Sequence, residues 1–82
     1  MALFLGVHEM GEATTDEAVQ SSWSGYKTAC GNHNCQPLRA HYNAKQGRAF
    51  CVTEAPSTDE VRAAHEEANV PLKEVIEVKV LE

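Results

Sequence analysis

The stretch Leu38-Arg39-Ala40-His41-Tyr42-Asn43-Ala44-Lys45-Gln46-Gly47-Arg48-Ala49-Phe50-Cys51-Val52-Thr53 holds two alternating runs either side of a turn. Leu38, Ala40 and Tyr42 alternate with Arg39, His41 and Asn43, and Phe50 and Val52 alternate with Ala49, Cys51 and Thr53. A period of two is that of a strand whose faces meet different surroundings. The intervening Ala44 to Arg48 suits a three-residue hairpin loop closed by a left-handed Gly47. That loop pairs Ala44 with Arg48, so Tyr42 is expected opposite Phe50, Ala40 opposite Val52 and His41 opposite Cys51.

Working outward, Leu3, Leu5 and Val7 alternate with Phe4, Gly6 and His8, which predicts a first strand over about residues 2 to 9. Thr14 followed by Glu17 fits a capping box, and Val19, Trp23, Tyr26 and Cys30 then fall on one helical stripe. Gly31 and Asn32 are natural stops, since both tolerate the left-handed conformation. Beyond the hairpin, Pro56 ends the strand, and Ser57 with Glu60 caps a second helix over about residues 57 to 69. Val61, Ala64 and Ala68 share its inner face. Pro71 prevents continuation, and Ile76, Val78 and Val80 mark a last strand.

Strand, helix, strand, strand, helix, strand is an α+β order. Right-handed crossovers interleave its two halves into a ferredoxin-like βαββαβ sandwich, an antiparallel sheet of order 4-1-3-2 with both helices on one face. The whole of residues 1–82 is expected to form one domain, because a chain of this length has room for one core. The face carrying Leu3, Leu5, Val7, Leu38, Ala40, Tyr42, Phe50, Val52, Ile76, Val78 and Val80 is expected beneath the helices. The face with Phe4, Gly6, His8, His41, Cys51 and Thr53 is then left open. Its apolar members, and the modest core of so small a domain, predict a homodimer that closes two sheets face to face as a dimeric α+β barrel.

Twelve acidic residues against seven basic ones give a net charge of −5, which repels phosphate backbones and anionic headgroups. Nucleic acid and membrane surfaces are therefore poor partners, and cations better ones. The apolar opening Met1 to Val7 is short, lacks a basic residue before it and runs into His8 and Glu9, unlike a secretory signal. The expected location is the cytoplasm, and three cysteines, an odd number, read as thiols in a reducing compartment.

Two groupings could carry metal chemistry. His8, Cys51 and His41 form a row across three neighbouring strands spaced about 4.8 Å apart, within reach of one first-row transition ion. Set against this, Cys51 could be a small buried hydrophobe, with both histidines lining a polar dimer interface. The string Cys30-Gly31-Asn32-His33-Asn34-Cys35 supplies a second set, in which Cys30, His33 and Cys35 offer the thiolate and imidazole that suit zinc, nickel or copper. The plain alternative is a structural thiol beside a solvated loop histidine. His65, beside Glu66 and Glu67, reads as an edge-of-core histidine on an acidic face. No phosphate-binding glycine loop, nucleophile elbow or dinucleotide fingerprint is present.

The run Arg48-Ala49-Phe50-Cys51-Val52-Thr53-Glu54-Ala55-Pro56-Ser57, the helix Val61-Arg62-Ala63-Ala64-His65-Glu66-Glu67-Ala68 and the strand Val75-Ile76-Glu77-Val78 resemble a family of short bacterial proteins described in part as nickel-binding. The resemblance covers about residues 38 to 80 and implies a ferredoxin-like fold, a dimer and a cytosolic nickel-binding or sequestering role. The Cys30 to Cys35 string departs from that family's usual loop. The alternative function is a small dimeric α+β barrel enzyme, of the cofactor-independent monooxygenase or isomerase type, acting on a small hydrophobic molecule with His8, His41 or His65 as general base.

Overall fold

The computed structural model describes residues 1–82, with the element order β1 (Ala2–Glu9), α1 (Asp16–Cys30), β2 (Gln36–Asn43), β3 (Arg48–Ala55), α2 (Thr58–Glu67) and β4 (Glu74–Val78). The strands form one antiparallel sheet in the order β2-β3-β1-β4, which is 4-1-3-2 read from the other edge. Helix starts follow local chemistry. Thr15, one residue after the expected Thr14, caps α1 by accepting from the Ala18 amide at 3.1 Å. Ser57 caps α2 as expected, accepting from the Asp59 amide while its hydroxyl donates to Glu60. Neither Gly31 nor Asn32 takes the left-handed conformation after α1; Asn34 does, with φ 57°, and Asn69 does so after α2, with φ 58°.

The hairpin differs from expectation by one residue. Asn43, not Ala44, pairs with Arg48, so the loop has four residues, tied by the Asn43 side chain accepting from the Gln46 amide at 3.0 Å. Gly47 is left-handed with φ 65°, and a Cβ there would lie 2.8 Å from the Glu12 carbonyl, because the segment after β1 packs on the turn. One residue of register turns a strand over. Tyr42 therefore lies opposite Ala49, His41 opposite Phe50 and Ala40 opposite Cys51.

The faces of β1, β3 and β4 are also the reverse of those expected, while Ala40 and Tyr42 of β2 stay on the helix side as expected. Beneath the helices lie Ala2, Phe4, Gly6 and His8 of β1 and Ala49, Cys51, Thr53 and Ala55 of β3, paired in register. The reason is volume. The helices bring Tyr26, Trp23, Val19, Val61 and His65 to the interface, and mostly small residues, Gly6, Ala49, Cys51, Thr53 and Ala55, lie opposite them, with Phe4 filling the space beside Val61. One core cluster joins Tyr26, Ala29, Cys30, Cys51 and Ala64; another joins Phe4, Ala55 and Val61. The other face carries Leu3, Leu5, Val7, Phe50, Val52, Ile76 and Val78, and Ile76 is 41% exposed. No helix is long and apolar enough to cross a membrane.

Candidate metal centre

The face reversal decides which donors meet. His8 near the end of β1 and Cys51 in the middle of β3 point under the helices, and α2 delivers His65 onto them. His65 follows Val61 by four residues and Ala64 by one, so it shares their buried stripe and is only 2% exposed. The Cys51 Sγ stands 3.4 Å from His8 Nε2 and 3.5 Å from His65 Nε2, and the donor atoms of all three lie within 4.8 Å of one another.

Each ring is held from behind. His8 Nδ1 donates to the Pro71 carbonyl at 2.8 Å, and His65 Nδ1 donates to the Val61 carbonyl at 2.7 Å. A carbonyl can only accept, so the proton of each neutral imidazole belongs on Nδ1 and the Nε2 lone pair faces the thiol. Backbone carbonyls in this role fix the tautomer and aim of metal-binding histidines. A single S–H can serve one of these lone pairs and not both. The rings also pack closely: His65 lies 5.0 Å from His8 and 4.1 Å from Tyr26, centroid to centroid.

Burial keeps the site uncharged. It lowers the pKa of His65 to about 4, against the opposing pull of the Val61 carbonyl, and lowers that of His8 against the Pro71 carbonyl. Burial also raises the Cys51 thiol to about 11. At neutral pH both imidazoles are thus free bases, whereas the thiol holds a proton that a metal would have to displace. Tyr26, whose hydroxyl meets Thr53 Oγ1 at 2.6 Å, is likewise pushed up by burial.

The spacing suits an ion. With bonds of about 2.0–2.1 Å to nitrogen and about 2.3 Å to sulfur, a tetrahedral centre separates its N and S donors by about 3.6 Å. The two N–S separations here, 3.4 and 3.5 Å, are close to that value before any ion enters, while the two nitrogens, within 4.8 Å of each other, would stand about 3.4 Å apart around a tetrahedral ion. Three protein donors also leave a fourth position for a small ligand.

The remaining expected donors are elsewhere. His41 sits on the opposite sheet face, exposed and opposite Phe50, as the hairpin register requires. Cys30, His33 and Cys35 are not gathered within ligating distance of a common point. Cys30 is fully buried, His33 Nε2 turns to Glu67 Oε1 at 2.9 Å, and the Cys35 thiol donates to the His33 carbonyl at 3.4 Å. His65, read from the sequence as an edge-of-core histidine and a possible general base, is the residue left out of the expected metal set. Its acidic neighbours suggested the edge of the core, yet its spacing from Val61 places it well inside.

A crystal structure of SCO4226 from Streptomyces coelicolor A3(2) matches this fold with a TM-score of 0.90 at 23% sequence identity, over 99% of this chain and 100% of that one. No curated protein matches the chain. The family model for the nickel responsive protein SCO4226-like family matches residues 4–78, from β1 to the end of β4. The chain belongs to the SCO4226-like family of nickel responsive proteins.

Proposed function

We propose that this protein binds or sequesters a divalent transition metal, nickel in keeping with its family, at His8, Cys51 and His65, and works as a cytoplasmic homodimer. The observation that carries the metal reading is the convergence of two imidazole lone pairs and one thiol, with both rings fixed from behind by carbonyls. The family description favours nickel over other ions. Geometry alone does not single it out, since a tetrahedral nitrogen and sulfur set also suits zinc, and copper outranks nickel at most such sites. An isolated histidine base is what the enzymatic alternative requires, and His8 and His65 instead share Cys51.

Nickel titration by calorimetry on the reduced, tag-free protein tests the site. Cys51→Ala or His65→Ala should weaken binding by more than about a hundredfold, beyond what losing a merely supporting partner costs. Cys30→Ser with Cys35→Ser should leave the isotherm unchanged. Because the ion displaces one proton from Cys51, affinity should fall about tenfold per pH unit between pH 8 and 6, with no break near 6.5. An isotherm insensitive to Cys51→Ala would refute the assignment.

The dimer is proposed through the sheet face that the helices leave open. Leu3, Leu5, Phe50, Ile76 and Val78 form a contiguous, partly exposed apolar patch there around the buried Val7 and Val52, of the kind that marks protein contacts. Sedimentation should show a dimer at micromolar concentration that Leu5→Glu converts to monomer. A wild-type protein that sediments only as monomer would overturn it.

A further inference from the structure

The metal-centre residues also line a cavity of about 270 Å³, and the rest of its wall has a different character. Val19 and Trp23 of α1, Ala40 and Ala49 of the sheet, and Val70 and Pro71 after α2 make it largely apolar. Its volume is just under the range of about 300–1,000 Å³ typical of small-molecule pockets, so the occupant is small. One side is a run of rings: Trp23 lies 5.9 Å from Tyr26, Tyr26 lies 4.1 Å from His65, and His65 lies 5.0 Å from His8. Such a wall favours a flat molecule that can stack or meet ring edges.

The polar groups of the wall fix what that molecule carries. Glu9 is exposed and engaged by Lys73 at 2.7 Å, Ser22 is exposed to solvent, and the Tyr26 hydroxyl is engaged by Thr53. The remaining buried demand is at the histidines. Two Nε2 lone pairs share one S–H proton, so one lone pair of a residue at least nine-tenths buried lacks a donor. No buried cation stands ready for a carboxylate, and the exposed Glu9 is already paired.

We propose that this cavity is a binding site for a small, flat, neutral aromatic molecule bearing one O–H or N–H donor, of the phenol or indole class, which donates to His8 or His65 Nε2. The site does not depend on the metal reading, because it uses the metal-free lone pairs. Nickel and such a molecule compete for the same nitrogens.

Phenol and indole, with benzene and benzoate as controls, can be titrated into chelator-treated, reduced protein by calorimetry and two-dimensional NMR. Trp23 is the chain's single tryptophan and lies in the wall, so its fluorescence reports phenol binding directly. Phenol should bind at least tenfold more tightly than benzene, which lacks the donor, and benzoate should not bind. Val19→Phe, which fills the cavity without touching a donor, should abolish phenol binding. If that variant fails to fold, phenol-induced shifts of the His8 and His65 ring signals in the wild type provide the same test. No response at millimolar phenol, equal binding of benzene, or undiminished binding by folded Val19→Phe would each overturn the proposal. Phenol binding without nickel binding would remove the metal reading alone.

Discussion

The chain holds two sets of the same residue types, and they behave oppositely. Cys30, His33 and Cys35 are neighbours in sequence yet do not converge as a set of three, because α1 ends between them: the Cys30 and Cys35 thiols meet at the core, while His33 reaches across to α2. His8, Cys51 and His65 come from three separate elements and meet within 4.8 Å. Closeness along a chain places residues on whatever faces the local backbone dictates. A packed sheet and helix can bring distant donors to one point and hold them there, as the carbonyls of Val61 and Pro71 do for the two rings. The distinction is one of rigidity and burial, and it can be tested by perturbing each set.

Acid should produce the largest effect, and only through the buried set. Folded His65 resists protonation down to about 4, while an unfolded imidazole takes its proton near 6.5. Between those values the unfolded chain binds more protons, so the free energy of unfolding falls as pH falls. His8 acts in the same direction. For His65 the loss from pH 7 to pH 4 is about 2–3 kcal/mol. The lowered carboxyls of Glu9, Glu60 and Glu67 act only below their ordinary range, which leaves the window from 6.5 down to about 4.5 to the histidines. Urea denaturation of metal-free protein at pH 7 and pH 5 should show this slope, and His65→Gln should flatten it. A slope unchanged in His65→Gln would mean that the ring is not held neutral by burial.

Element order was legible in the sequence because each boundary has a local cause: the Ser57 cap, the α1 cap that falls at Thr15 one residue from the Thr14 expected, and the period of two in the strands. Which sheet face lies beneath the helices was not. Both faces of β1 are half apolar, and the bulkier set, Leu3, Leu5 and Val7, looks like core by transfer energy alone. The choice depends on the combined volume of helix and strand side chains, which pairwise sequence patterns do not express. The position of His41 had the same kind of obstacle: a four-residue loop in place of a three-residue one moves it to the opposite face from Cys51. His8 and Cys51 were legible as candidate donors, but their third partner depended on α2 docking on the reversed face.

Gly6 offers a smaller and more local perturbation of the buried set. It pairs with Cys51 across β1 and β3, and a Cβ there would lie 2.6 Å from the Cys51 Sγ and 3.2 Å from Leu72. Gly6→Ala must therefore displace the sulfur, at a cost of about 1–3 kcal/mol for overpacking. Displacing the sulfur also spoils its spacing from both nitrogens, so nickel affinity should fall at least tenfold along with the melting temperature. A variant with lowered stability and unchanged affinity would show that Cys51 is not a ligand.

The smallest effect is expected from the loop set, where His33 meets Glu67 Oε1 at 2.9 Å and Asn32 donates to Glu67 Oε2 at 2.8 Å. Asn32 and His33 together lower the Glu67 pKa, so the carboxylate is a shared surface partner that joins the end of α1 to α2. Exposed pairs of this kind are screened by salt and lose side-chain entropy on forming, which leaves little net stabilisation. His33→Ala keeps the Asn32 contact and exposes no buried polar atom. Its melting temperature should fall only slightly, by an amount that shrinks further in 1 M salt, and its nickel isotherm should overlay that of the wild type. A marked loss of nickel affinity in His33→Ala would move the metal to the loop, and the sequence-adjacent set would then be the functional one.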